Sequence, residues 1–174
     1  GVGPLMTEVA GVVCDGFICH GFTTEKYLRE VTIPALERGR EKAGKTMEGF
    51  EIVGPSFVVT GTTDEQMEKA ANGTRQQIAF YGSTPAYKKV LDLHGWGGLQ
   101  EELNGLSKQG EWEKMGTLID DEILNTFAVV AEPEDIAPEL SQRYGDVIQR
   151  ISFYAPYASD PERWQNVMAA LKAA

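Results

Sequence analysis

The first residues that could do chemistry form a glycine turn at the amino terminus, Gly1-Val2-Gly3, which runs directly into a predicted helix. Backbone amides at the start of a helix have no partners within the helix, so they attract phosphate or carboxylate groups. The turn is therefore a candidate anion site. A turn with no ligand is the alternative, because glycines serve that purpose equally well.

A second segment places Cys14, Cys19 and His20 around a short apolar run, residues 16–19, that predicts a strand. His20 follows the carboxyl end of this strand, where ligands of parallel sheets gather; a histidine that only hydrogen-bonds a neighbouring loop is the open alternative. The two cysteines lie five residues apart across the predicted strand, on opposite faces and about 16 Å from each other. That separation argues against a disulfide and against a shared metal ion. We expect reduced thiols in a cytoplasmic protein.

Two other groups of polar residues are interpreted as structural. His94 precedes Gly95 at a predicted helix end, where a cation interacts well with the helix dipole. The acidic run 120–122 is expected to form a solvated helix face. No Ser-His-Asp or Cys-His-Asn arrangement can be recognised in the sequence, so these residues alone identify no reaction.

The elements that must position these residues alternate between helix and strand. Strands are predicted near residues 16–20, 50–61 and 147–154. Helices are predicted near residues 5–11, 23–44, 63–81, 84–95, 134–144 and 160–172, with one or two more between 96 and 124. This alternation implies a parallel sheet with right-handed crossovers.

Several local signals refine the prediction. A hydroxyl cap at Thr23-Thr24 starts the second helix, Pro34 should kink it and Gly44 ends it. In the second strand, Gly54-Pro55 predicts a bulge or bend within a run that is buried on both faces. The pattern Thr63-x-x-Gln66 is a capping box.

Size and charge restrict the class of protein. The 174 residues fit one domain, residues 1–174, and the net charge of −10 disfavours nucleic acid and anionic membranes as partners. No segment approaches the roughly 20 apolar residues that span a bilayer, and no signal-peptide pattern opens the sequence. We expect neither nucleic-acid binding nor membrane insertion.

The order of segments and several strings resemble a known family. The run VGPLMTEVAGVVCDGFICHGFTTEKYLREVTIPALERG carries Gly3-Pro4, then Ala10-Gly11 with Asp15-Gly16, then the helix 27–39. It is similar to the later part of the luciferase-like monooxygenase superfamily, and most similar to the branch of oxidoreductases that use coenzyme F420. The strings FVVTG, QIAFYGSTPAY, LHGWG, GEW and FAVV extend the resemblance over about residues 2–157.

The resemblance implies an α/β fold that is part of a (β/α)8 barrel. A complete barrel needs about 250 residues. We therefore expect the chain to hold the last three strand–helix units, with a helical insertion between the second and third strands. The activity implied is hydride transfer between F420, or alternatively FMN, and a small organic substrate. Catalytic residues are unassigned, since the resemblance places them in the first half of the barrel.

The resemblance also implies cofactor-binding positions. In this family the turn after the fifth strand contacts the phosphate side of the cofactor, and it matches Gly3, Pro4 and Leu5. The end of the sixth strand lies nearby and matches Cys19, His20 and Gly21. These six residues are the cofactor-binding candidates, and no metal ligands are assigned.

A three-stranded part of a barrel would expose strand edges and a bare inner face. We therefore expect a homo-oligomer, or a missing half supplied by another chain. A non-catalytic fragment or binding module that is stable only as an oligomer is the alternative to an enzyme. A flavodoxin-like domain is disfavoured, because three strands are too few for that fold.

Overall fold

The computed structural model describes residues 3–158 and 160–173. Within those residues the chain forms a parallel sheet of four strands with helices on both faces. The strands are β1 (Gly16–Ile18), β2 (Glu51–Val59), β3 (Ala128–Val130) and β4 (Arg150–Tyr154). The α-helices are α1 (Pro4–Val13), α2 (Glu25–Tyr27), α3 (Ile33–Lys42), α4 (Asp64–Gly82), α5 (Lys88–Leu93), α6 (Gly97–Gln109), α7 (Trp112–Thr117), α8 (Asp121–Phe127), α9 (Ile136–Tyr144) and α10 (Pro161–Ala173).

The predicted alternation of helices and strands is confirmed, with β1, β2 and β4 at the three expected places. β3 is a fourth strand that the sequence pattern does not predict. It has three residues and follows α8 directly, so its apolar side chains cannot be separated from those of the helix by periodicity.

The long strand β2 organises the sheet, because it pairs in parallel with each of the other three strands. The carbonyls of Val53 and Val59 accept hydrogen bonds from the amides of Cys19 and Ala131. Since alternate residues of a strand face opposite edges, β1 and β3 lie along the same edge of β2, and β4 lies along the other. The paired ranges of β2 are residues 51–53 with β1, 57–59 with β3 and 53–57 with β4.

Pro55 lies between the β1 and β3 ladders on that shared edge. Its missing amide hydrogen therefore removes no ladder hydrogen bond. The predicted bulge is wrong, because the register to β4 continues one-for-one through Gly54 and Pro55. The prediction of burial on both faces holds only from Ser56 onward; before it, buried and partly exposed residues alternate.

The segment between β1 and β2 begins as predicted, with the Thr24 side chain accepting a hydrogen bond from the amide of Tyr27. The expected distortion at Pro34 takes the form of a π-helical turn, Leu28–Thr32, just before α3. A wider turn relieves the clash between a proline ring and the carbonyl four residues earlier. Gly44 follows the end of the helix with a φ of 68°.

Two hydrophobic cores lie on the two faces of the sheet. Alternate residues of β2 divide between them: Ile52 and Val58 face α1, α3, α9 and α10, while Phe57 and Val59 face α4 and the helices that follow it. The sheet is thus a central layer between two sets of helices. Groups from both sides border the edge of the sheet where the carboxyl ends of the strands meet.

Helices α1 and α3 cross at a pair of glycines. A Cβ on Gly39 would overlap the carbonyl oxygen of Glu8 and lie 2.9 Å from the Cα of Gly11. A Cβ on Gly11 would overlap the carbonyl oxygen of Leu36. This close approach fixes α1, and with it the turn at its amino end, against the rest of the fold.

The insertion between β2 and β4 contains more helices than the one or two predicted between 96 and 124, since α6, α7 and α8 are separate. Gly110, with a φ of 75°, ends α6. The acidic run is not simply a solvated face: Asp120 accepts a hydrogen bond of 2.8 Å from the amide of Ile123 and caps α8, and Asp121 forms an ion pair with Arg75.

Candidate functional site

The first turn of α1 has free backbone donors. Gly3 precedes the helix with a φ of 97°, a conformation that favours glycine, and no side chain among the described residues caps the helix. Pro4 has no amide hydrogen. The amide and the hydroxyl of Thr7 both donate hydrogen bonds to the Gly3 carbonyl, at 3.1 and 3.0 Å. The amides of Leu5 and Met6 therefore have no acceptor within the helix and can bind an anion. Gly1 and Val2, the rest of the predicted turn, lie outside the described residues.

The structure brings the two predicted segments together. Gly3, Cys19 and His20 line one small cavity of about 20 Å³, along with Thr7 and Tyr27. This volume is enough for a single water molecule and too small for a phosphate group. A larger ligand at the turn would therefore lie outside the cavity, over the first turn of α1.

The other three predicted positions lie around this cavity rather than in its lining. Pro4 lines an adjacent groove of about 340 Å³, together with Tyr27 and Lys89. The Leu5 side chain is 79% exposed, so the group that this residue offers to an anion is its backbone amide in the first turn of α1. Gly21 packs against Tyr154, whose ring carbon would lie 3.2 Å from a Cβ at that position.

His20 is held by hydrogen bonds on both ring nitrogens. The amide of Phe22 donates to Nδ1 at 3.0 Å, so in the neutral ring Nε2 carries the proton and donates to the Tyr87 hydroxyl at 3.2 Å. Burial lowers the pKa of His20 below its ordinary value. The hydrogen bond to a neighbouring loop, which the alternative interpretation of His20 requires, is present. Because His20 also lines the cavity, its role in binding stays a prediction.

A pair of tyrosines next to His20 was not singled out by the sequence. The Tyr81 and Tyr154 hydroxyls are 3.0 Å apart, and the Tyr81 ring meets the His20 ring edge-on at 4.9 Å. Burial, and the hydrogen bond with Tyr81, raise the pKa of Tyr154 to about 12, so this phenol remains protonated. The string QIAFYGSTPAY contains Tyr81 and Tyr87, but nothing local indicates that its tyrosines turn towards a histidine more than 60 residues earlier.

The cysteines are free thiols in different settings. Cys14 is the residue that follows α1, two positions before β1, so the strand spacing expected between the two cysteines does not apply to it. Burial raises the pKa of Cys19 to about 11, which keeps its sulfur protonated. Across residues 3–158 and 160–173, no cluster of three or more His, Cys, Asp or Glu side chains is arranged to hold a metal ion.

His94 lies at the end of α5, as predicted. Its Nε2 is 2.9 Å from the hydroxyl of Thr24, and its ring stacks on Trp96 at 4.7 Å. It joins the insertion to the start of α2 and lines neither the cavity nor the groove beside α1.

A larger groove, about 600 Å³, lies elsewhere on the carboxyl edge of the sheet. It is lined by groups that follow β2 and β4, including Thr60, Lys69, Asp160 and Arg163. Cations and carboxylates are mixed in this lining, so it shows no preference for one charge. No helix within the described ranges is long and apolar enough to cross a bilayer.

The chain belongs to the luciferase-like monooxygenase family, whose family profile matches residues 1–150. It is 50% identical over 150 residues to an uncharacterized protein of Mycobacterium tuberculosis, Rv1360, covering 86% of this chain and 44% of that protein. It is also 24% identical over 168 residues to 5,10-methylenetetrahydromethanopterin reductase of Archaeoglobus fulgidus, covering 92% and 48%.

Two solved structures have a fold similar to that of this chain. The coenzyme F420-dependent tetrahydromethanopterin reductase of Methanopyrus kandleri superposes with a TM-score of 0.68 at 17% identity, over 87% of this chain and 42% of that one. An F420-dependent secondary alcohol dehydrogenase bound to an F420–acetone adduct superposes with a TM-score of 0.64 at 19% identity, over 98% and 47%. The predicted fold, part of a (β/α)8 barrel, is confirmed, and the chain spans a little under half the length of these relatives.

Proposed function

We propose that this chain is the later part of an oxidoreductase of the luciferase-like class that binds coenzyme F420. In this proposal residues 1–174 form a single domain, and the intact enzyme moves a hydride between the deazaflavin and a small organic substrate. The observation that carries the proposal is the convergence of Gly3, Cys19 and His20 at the uncapped start of α1. Relatives named as F420-dependent support the choice of cofactor.

The donors in this region fit an anionic group. Coenzyme F420 supplies the ring that accepts or gives up hydride, and the protein supplies position and electrostatics. In this chain the amides of Leu5 and Met6 bind the phosphate side of the cofactor, at the positive end of the α1 dipole. The neutral His20 adds no charge to the site, and it lines the same small cavity as Gly3.

A titration of the purified chain with F420, followed by absorbance or fluorescence, tests the proposal. The variant His20→Asn should weaken F420 binding, whereas the matched variant His94→Asn should not. Both histidines are partly buried with lowered pKa values, but only His20 lines the cavity. If FMN bound more tightly than F420, FMN would become the proposed cofactor, and the proposed class of oxidoreductase would stay the same.

A second candidate function is a non-catalytic binding module that is stable as an oligomer. It is favoured by the exposed apolar face of α1, where Leu5, Met6, Val9 and Val13 all face solvent, and by Ile18 on β1. Faces of this kind commonly mark contact surfaces. Binding of neither F420 nor FMN, together with a multimeric mass in solution, would favour this candidate; cofactor reduction by the chain would favour the enzyme.

The remaining assignments follow from this proposal. The partner is a small-molecule substrate, and the oligomer is one of identical chains. The free thiols of Cys14 and Cys19 support a reducing compartment, the cytoplasm.

A further inference from the structure

Four partly exposed rings lie together at the carboxyl ends of β1 and β4, and we call them the tyrosine cluster. His20 follows β1, and Tyr154 is the last residue of β4. Tyr81, on the last turn of α4, and Tyr87, just before α5, come from the insertion. The centre of the His20 ring is 4.9 Å from that of Tyr81 and 4.7 Å from that of Tyr87. Ligands of parallel sheets and barrels bind at this end of the strands.

The hydroxyl hydrogen of Tyr87 has no acceptor within residues 3–158 and 160–173. The amide of Phe22 donates to Nδ1 of His20, so Nε2 carries the proton and donates to the Tyr87 oxygen at 3.2 Å. The Tyr87 oxygen is therefore the acceptor in this contact, and the phenol still has its own hydrogen. That hydrogen is left as a donor for a ligand.

The hydroxyls of Tyr81 and Tyr154 have one hydrogen to spare between them. They bring two hydrogens to a single contact of 3.0 Å, and whichever phenol donates, the hydrogen of the other is unused. Neither hydroxyl has a further partner in the described part of the chain. The tyrosine cluster thus holds two unused phenolic hydrogens, and the ring centres of Tyr81 and Tyr87 are 6.2 Å apart.

The tyrosine cluster offers a ligand no full charge. Its donors are phenols beside a neutral imidazole, and no charged side chain of the described ranges hydrogen-bonds to any of the four rings. An anion bound here would lose its water without a cation to compensate, in a chain whose net charge is −10. A carbonyl oxygen carries no net charge and has two lone pairs, which matches two free hydrogens.

We infer that the Tyr87 hydroxyl and the Tyr81–Tyr154 hydroxyl pair bind the carbonyl oxygen of an uncharged substrate. The inference rests on the function proposed above, in which a small organic substrate takes part in hydride transfer. Addition of hydride to a carbonyl carbon moves the π electron pair onto the oxygen, which then takes a proton from water to give the alcohol. Two hydrogen bonds to that oxygen stabilise the charge that develops on it.

Cyclohexanone is the probe, and cyclohexanecarboxylate at equal ionic strength is the charged comparison with the same ring. In an NMR titration of the full chain, cyclohexanone should shift the amide signals of Gly21 and Phe22 saturably, and it should bind more tightly than the carboxylate. Tyr87→Phe should weaken cyclohexanone binding about threefold to tenfold, the effect of one lost hydrogen bond between neutral groups.

The hydroxyl pair allows a second test. Since either phenol can supply the spare hydrogen, Tyr154→Phe alone should keep most of the affinity. The double variant Tyr81→Phe and Tyr154→Phe should lose affinity as Tyr87→Phe does. Tyr144→Phe is the matched control, because Tyr144 lies on α9 in the core on the other face of the sheet, and it should bind like the parent. The amide spectrum of each variant reports whether the fold is kept.

Equal cyclohexanone affinity in the parent, Tyr87→Phe and the double variant overturns the inference. Carboxylate binding as tight as ketone binding, or no saturable ketone binding, also overturns it. The F420 titration is a separate measurement: ketone binding that depends on the tyrosines without F420 binding sustains the inference alone. F420 binding together with ketone binding that the tyrosines do not affect sustains the function alone.

Discussion

The Nε2 atom of His20 lies 3.2 Å from the hydroxyl of Tyr87, 67 residues later in the chain. The other ring nitrogen accepts the amide of Phe22, so the pair of contacts is satisfied by a neutral ring with its proton on Nε2. Protonation of Nδ1 would break the contact with Phe22. The geometry and the lowered pKa of His20 therefore agree.

The two histidines should make stability depend on pH below neutrality. Burial lowers the pKa of both His20 and His94 from 6.5. In the unfolded chain each takes up a proton near pH 6.5, but the folded chain resists it, so stability is full above that pH and declines as pH falls through the lowered values. Melting temperatures between about pH 5 and pH 8 measure the effect.

The variants His20→Asn and His94→Asn should each flatten this profile, and the double variant should flatten it most. Asparagine keeps an acceptor for the Phe22 amide but does not titrate. Equal acid sensitivity of the parent and the double variant would contradict the assignment.

The crossing of α1 and α3 should be intolerant of any side chain. Gly39→Ala should destabilise the fold by about 1–3 kcal/mol, the usual cost of overpacking, because its methyl group would overlap the Glu8 carbonyl. Denaturant unfolding measures the change, with an unaltered m-value as the sign that the fold is kept.

Gly105→Ala is the matched control in the interior of α6, where a Cβ meets nothing within 4 Å. It should stabilise the chain by about 0.5–1 kcal/mol, because alanine is the better helix former. If both variants shift stability in the same direction, the close helix contact is not the reason.

The two thiols should differ in reactivity. The thiolate is the nucleophile, and burial raises the pKa of Cys19 to about 11, while Cys14 is partly exposed at the end of α1. Iodoacetamide should modify the native chain once, at Cys14, and the urea-unfolded chain twice, as read by peptide mass. In Cys14→Ser, fast native labelling of Cys19 would be inconsistent with its burial.

The apolar face of α1 should drive association. The double variant Leu5→Gln and Val9→Gln should lower the mass measured by light scattering across a micromolar dilution series, because it removes two exposed apolar side chains. Phe80→Gln is the control, since Phe80 is comparably exposed but lies on α4. A parent chain that stays monomeric throughout would refute the predicted oligomer.

Local signals in the sequence predict much of the secondary structure. The caps at Thr24 and Thr63 and the terminating turns at Gly44 and Gly95 depend on neighbours within a few residues, so their residue types are sufficient. β3 is missed because three residues after a helix give no periodic pattern. Pro55 misleads for a related reason: its effect depends on which edge of β2 is paired, and only the sheet shows this.

The candidate site is predicted less completely than the fold. Gly3 and His20 are indicated by their places at an element start and a strand end. The contact between His20 and Tyr87, and the unpaired hydroxyl of Tyr27, arise from residues that fold together across long sequence separations. No local rule reports whether a buried hydroxyl will find an acceptor.

Pro55 has one more effect on how the molecule behaves. A foreign strand that docks along an exposed edge needs an uninterrupted row of donors and acceptors. The row on the β1–β3 edge of β2 is broken at Pro55, in the stretch that neither neighbour covers. The longest strand that the structure describes is thereby a poor template for fibril growth, even while its partners are loosened.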